Sequence, residues 1–299
     1  PRADPVTQQR RMNHLARTAI NAWRIETGAI TLSTPWSMSS TRNLNYRPDP
    51  AIAVFANLEH RLAGRRVVGE LDLGQGMECL ILDGPAGGML VAWNESAAPE
   101  EAVIEMHLGG EPVVIDVWGN RTPVQTIGEK HRIELTSTPL FIEGIDPELA
   151  LFRASFKVEP QFIESTQVPH HKTVTIRNPW NRTISGTMLI IEPGTWRISP
   201  KRIVFSLAAG ETWEAPLQLA FPVSEVAGDK ELVARFDFLV NDRYVVDVTA
   251  PMHLGLENVG FDAHLSVEPN REGGIPDVVS TVLITNPSPG PMSLYAFAS

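Results

Sequence analysis

One pattern in this chain occurs twice. Val158-Glu159-Pro160 is followed by Thr173-Val174-Thr175-Ile176-Arg177-Asn178-Pro179, and Val267-Glu268-Pro269 by Thr281-Val282-Leu283-Ile284-Thr285-Asn286-Pro287. Val158 recurs as Val267 and Thr173 as Thr281, offsets of 109 and 108 positions. Such a period is too long for a solenoid repeat and fits one β-sandwich of about 100 residues. The second copy reaches Ser299 after roughly a third of such a domain, and the chain opens at Pro1 without an initiator Met. The expectation is therefore a piece of a longer protein.

Composition narrows the partners. With 24 Pro and 22 Gly among 299 residues, many turns are expected and a mainly helical protein is not. Net charge is −10, and Lys and Arg nowhere cluster with aromatics, so neither a nucleic acid nor an anionic membrane surface is an expected partner. No apolar run reaches the ~20 residues of a membrane span. The single cysteine, Cys79, rules out an internal disulfide and a thiolate zinc site, and its apolar alternation with Met77 and Ile81 marks a buried thiol. No metal or other cofactor is expected.

Residues 1–65 differ in period from the rest. Met12, Leu15, Ala16, Ala19, Ile20 and Trp23 form an amphipathic helical stripe. Ala29–Ser33 is a short apolar run expected to be a buried strand. A loop from Pro35 to Pro48 leads to Asp49-Pro50, which opens a second helix carrying Ile52, Phe55, Ala56, Leu58 and Leu62. From Val67 to Glu143 the period becomes two, with glycine-bearing turns, as in an antiparallel sandwich. Gly144–Glu148 reads as a hinge. Phe152–Val158 opens a run of seven expected strands that ends at Tyr244–Val248.

Three stretches resemble known families. Gly194–Pro200 (Gly-Thr-Trp-Arg-Ile-Ser-Pro) leading to Phe205–Thr212 resembles the α-galactosidase-associated, or NEW3-type, immunoglobulin-like domain of bacterial glycosidases. Val113–Asn120 (Val-Val-Ile-Asp-Val-Trp-Gly-Asn) followed by Thr138–Gly144 (Thr-Pro-Leu-Phe-Ile-Glu-Gly) resembles the β-sandwich that follows the catalytic barrel in several glycoside hydrolase families. Val6-Thr7-Gln8-Gln9, the apolar run, Pro35-Trp36 and Arg47–Ala51 are similar to the last helix–strand–helix of such a (β/α)8 barrel. The resemblance places the two catalytic carboxylates upstream of Pro1, so no catalytic residue is carried over. It also puts Trp36 at a position that often stacks on a sugar ring. Trp36 reads equally as a sugar platform and as core closing the barrel end. Arg42 and Tyr46 share its loop, as subsite residues or as structural pairs.

Other residues read as structural. Glu26 lies at the wrong end of the expected strand for catalysis. Glu143, Asp146 and Glu148 are acid-rich, but Pro147 interrupts any calcium loop. His170 and His171 are adjacent in a strand and face opposite ways. Most of Trp93, Trp118, Trp180, Trp196 and Trp213 lie in apolar alternation and read as core; Trp180, in an Asn-Pro-Trp-Asn turn, is the one expected to be most exposed.

The fold expected is mainly β: tandem antiparallel immunoglobulin-like β-sandwiches preceded by a short helix–strand–helix remnant of an α/β barrel. The divisions are residues 1–65 for the barrel remnant, 66–150 for the barrel-associated sandwich, 151–258 for the NEW3-type sandwich and 259–299 for a truncated second copy. The resemblance implies an accessory region of a secreted or periplasmic glycoside hydrolase-like protein. Alone it would be inactive, contacting a catalytic domain outside this chain and possible glycan partners. The rival is a non-enzymatic surface or adhesion protein built of tandem immunoglobulin-like domains.

Overall fold

The computed structural model describes residues 5–26, 29–31, 36–38, 46–74, 76–95, 102–166, 168–222, 224–256, 259–268 and 277–285. Its architecture is mainly β, in sheets that are antiparallel but for one parallel pair (Phe162–Glu164 beside Arg243–Gly255), preceded by a short helical part.

The helical part comprises α1 (Pro5–Arg24) and α2 (Ala51–Leu62). The stripe read on α1 is the one that packs: Met12, Ala16, Ala19 and Ile20 lie against Ala51, Val54, Leu58 and Leu62 of α2. The inner face of α2 is turned from the expected one: Leu58 and Leu62 are buried as expected, but Ile52 and Phe55 are only half-buried and Ala56 is exposed, Ala51 and Val54 taking their place. Asp49 starts α2 by accepting a bond from the Ala51 N–H at 2.9 Å, while its other oxygen accepts from Arg11 at 3.0 Å. Between the helices, β1 (Trp36–Met38) and β2 (Tyr46–Pro48) form an antiparallel pair. The expected strand at 29–33 is corrected here. Residues 29–31 carry no strand, and Ala29 and Thr31 are exposed, while residues 32 and 33 lie outside the described residues. With Ala29 and Thr31 facing solvent, the run lacks the two covered faces that a buried strand needs.

Nine strands follow among the described residues. They are β3 (Arg66–Glu70), β4 (Met77–Asp83), β5 (Met89–Asn94), β6 (Val103–Met106), β7 (Val113–Ile115), β8 (Arg121–Pro123), β9 (Gln125–Ile127), β10 (Lys130–Glu134) and β11 (Leu140–Glu143). One sheet has the order β3-β4-β5-β11-β7-β8, the other β6-β10-β9. The six-stranded sheet is covered on both faces. Leu80, Leu82, Met89, Val91, Trp93 and Phe141 meet the two helices, and Cys79, Ile81, Leu90, Ala92 and Ile142 meet Ile104, Ile133 and Leu135 of the smaller sheet and its flanks. This double cover explains why every residue of β5 is buried, where a half-exposed strand would alternate.

The segment Phe152–Val158, expected as a strand, is mostly helix: α3 spans Pro147–Ser155, and only β12 (Lys157–Glu159) is extended. Asp146 caps α3 by accepting from the Leu149 N–H at 2.9 Å, Pro147 sits in the first turn, and Glu148 adds acidic charge there.

Beyond it come β13 (Phe162–Glu164), β14 (His170–Arg177), β15 (Ile184–Ile191), β16 (Arg197–Ser199), β17 (Arg202–Leu207), β18 (Thr212–Ala220), β19 (Gly228–Leu239) and β20 (Arg243–Gly255). A four-stranded sheet β12-β14-β18-β16 faces a five-stranded sheet β13-β20-β19-β15-β17. Between them lies an aromatic-rich core that includes Phe205, Phe236 and Phe238. The last described elements, β21 (Gly260–Glu268) and β22 (Asp277–Thr285), pair among the described residues only with each other.

Candidate functional site

The expected sugar-facing residues fall around the first hairpin. Its register pairs Trp36 with Pro48 and Met38 with Tyr46, so Trp36 and Tyr46 hold positions of the same parity, diagonal to one another. Arg42 lies outside the described residues. Glu26 is exposed beyond the end of α1, with φ +53°.

The two stretches that carried the barrel-sandwich resemblance have a shared physical role: both dock the helices. The Asp116 carboxylate accepts from the N–H groups of Trp118 and Asn120 at 2.8 and 2.9 Å and from the Asn120 side chain at 2.7 Å. Gly119 supplies the left-handed φ of +90° that this turn requires. Asn57 of α2 then donates to the carbonyls of Asp116 and Val117 at 3.1 and 3.2 Å. At the other stretch, Thr138 donates to Asn13 of α1 at 2.9 Å, and Asn13 and Arg17 donate to the Ser137 hydroxyl and carbonyl. Glu143 completes the seam: it meets Arg61 at 2.9 Å, Arg65 at 3.5 Å and Arg121 at 3.6 Å. Charged groups this enclosed require such pairing.

The acid-rich segment from the end of β11 to the start of α3 is likewise spent on structure. Glu143 is held by arginines, and Asp146 caps α3 while accepting from the Tyr244 hydroxyl at 2.9 Å. Burial, followed by neighbouring acids, raises the Glu148 carboxyl above its ordinary range. Among the described residues no group of three or more His, Cys, Asp or Glu is arranged to hold a metal ion, and no helix is long and apolar enough to cross a membrane.

A concavity of about 780 Å³ lies between the two β regions. Leu71, Met77, Val103 and Met106 of one region face Phe156, Val158 and Val233 of the other, with Glu70, Glu159 and Glu231 among the acidic side chains lining it. A smaller hollow of about 230 Å³ adjoins it, lined by His107, Lys130, Arg153, Arg235 and Asp247. Arg153 crosses between the regions, donating to the Asp247 carbonyl on one side and to the His107 carbonyl, at 3.3 Å, on the other. Burial pushes its guanidinium down to about 10. Arg235 grips the Asp247 carboxylate at 2.7 and 3.0 Å and holds it below the usual carboxylate range. Sequence reasoning missed this cleft because its walls come from several segments that are far apart in sequence.

Three remaining readings can be placed. Cys79 is buried, and burial pushes its thiol up to about 12, which makes it inert as a nucleophile at neutral pH. His170 stacks on Phe221 with a 3° interplanar angle, while His171 is exposed. Trp180 is corrected: it is 9% exposed, and it is Trp118, at 37%, that reaches solvent. The buried Asn178 donates to the carbonyls of Arg182, Leu207 and Ala208 and accepts from the Trp180 N–H. That locked turn tips Trp180 onto Phe152, Phe238 and Tyr244.

No family model matches the chain, and no curated protein matches it. Among solved structures, a family 39 glycoside hydrolase from the gut symbiont Bacteroides cellulosilyticus WH2 is similar over 46% of this chain and 31% of its own, with 15% identity and a TM-score of 0.35. The Salmonella enterica SafA pilin–SafB chaperone complex is similar over 38% of this chain and 68% of the matched one, with 10% identity and a TM-score of 0.24. WR4, a C. elegans MSP family member, is similar over 33% and 97%, with 8% identity and a TM-score of 0.24. The chain thus spans under a third of the glycoside hydrolase's length.

Proposed function

We propose that this chain is an accessory region of a glycoside hydrolase-like protein, a mount that holds a catalytic unit whose carboxylates lie outside it. The observation that carries this reading is the docking seam. The stretches whose sequence resembles a barrel-following sandwich, Val113–Asn120 and Thr138–Gly144, are those that grip α1 and α2 through Asn13, Asn57 and Arg61. In this reading the helices are the face toward the catalytic unit, Trp36, Arg42 and Tyr46 face its substrate, and the protein works outside the cytoplasm. Residues from 259 onward begin a second sandwich. The test is reducing-sugar release from a panel of polysaccharides, by this chain and by the longer protein. The chain alone should release nothing and the longer protein should hydrolyse at least one substrate. Hydrolysis by the chain alone, or none by the longer protein, would overturn the reading.

A further inference from the structure

The boundary that composition suggests, between residues 150 and 151, falls in the middle of α3, and α3 belongs to both β regions. Leu149 and Phe152, at 1% and 0% exposure, lie in the core of the second region. Ala150 lies in the core of the first, with Leu151 and Ala154 packed against it. The helix therefore has no solvent face wide enough to act as a swivel.

The joint is closed around it by polar contacts from both sides. The Asp146 N–H donates to the Leu108 carbonyl at 2.9 Å, and its carboxylate accepts from Tyr244 of β20. Arg153 bonds a carbonyl of each region, and Lys130 of β10 stands 3.8 Å from Asp247 of β20. The glycines here leave no slack. A Cβ on Gly109 would stand 2.6 Å from the Asp146 Cβ, one on Gly88 2.7 Å from the Pro147 Cβ, and one on Gly144 2.5 Å from the Glu111 carbonyl oxygen. Glycine serves close approach at these positions, not flexibility.

We propose that α3 is a strut shared by the two β regions, so that residues 46–256 open and unfold as one unit and the cleft between the regions keeps a fixed width. This follows from the shared cores whatever the whole protein acts on. Domains joined by a linker with few crossing contacts would open independently.

The experiment is hydrogen exchange with mass spectrometry on the full chain in rising urea, following the peptides over Met77–Asp83 and Ile184–Ile191. Two mild variants far from α3 are used, Ile190→Val in the second core and Ile115→Val on the helix-covered face of the first. Each leaves the fold intact and raises the opening equilibrium roughly 5-fold. The expected result is that either variant raises opening equally in both peptides. An increase confined to the peptide of the mutated region would overturn the proposal.

Discussion

The two copies of the repeated segment meet opposite fates. In the complete copy Val158, Val174 and Ile176 are buried to 1% exposure or less, facing the five-stranded sheet. Their counterparts Val267, Val282 and Ile284 are 69%, 52% and 37% exposed. The pairing differs as well: Val158 lies opposite Val174, but Val267 lies opposite Val278, four positions short of Val282. Alternation therefore fixes which face is apolar, and both copies obey it. What buries that face and pins the register is a second layer, which only the complete copy has among the described residues.

The largest effect should come from a matched pair of substitutions. Ile176→Ala removes a fully buried side chain and should cost about 2–5 kcal/mol in urea denaturation. Ile284→Ala, at the equivalent position, should stay within about 0.5 kcal/mol. Equal costs would mean that the hairpin is covered in solution. Next in size is self-association. The double variant Val267→Thr, Val278→Thr leaves the ladder intact but breaks an apolar face of the sort that seeks a partner. Sedimentation velocity should show less oligomer than the parent chain, with Tm unchanged.

What the sequence made legible follows the same logic. Strands β4, β11 and β15 lie where their alternation or apolar runs put them, bounded by Gly-bearing turns or charged ends. Helix α3 was misread because Leu149-Ala150-Leu151-Phe152 is apolar on every side, as a helix inserted between two cores must be. The Asp146-Pro147-Glu148 start signal was present and was read as a hinge. Trp180 was misread because turn composition says nothing of the three carbonyls that hold Asn178. The cleft was invisible because its walls are assembled only by the tertiary fold.

A smaller effect separates the complete copy from the hairpin through its joint with α3. Burial, and next the bond to Asp146, push the Tyr244 hydroxyl up to about 12, against about 10 in an unfolded chain. The folded state holds this proton more tightly, so its contribution is intact below pH 10 and is lost as pH rises through 12. Cys79 works in the same direction and Arg153 in the opposite one. Comparing the parent with Tyr244→Phe cancels both. The Tm difference between the two should shrink from pH 10 to pH 12; a constant difference would mean Tyr244 titrates at its ordinary value.

The smallest effect changes no stability and concerns the register alone. If the four-residue offset of the hairpin reflects only its missing layer, pairing should follow whichever layer is supplied. Cysteine pairs read this directly, because buried Cys79 does not compete for oxidation. In the present chain, Val267→Cys with Val278→Cys should cross-link faster than Val267→Cys with Val282→Cys, since a one-residue-pair neighbour lies within disulfide reach and a position four residues along the strand does not. In a longer chain that supplies a covering sheet, the preference should reverse, bringing Val267 opposite Val282 as Val158 stands opposite Val174. The same order in both chains would show that the register is written in the two strands themselves, and the lesson drawn from the complete copy would fail.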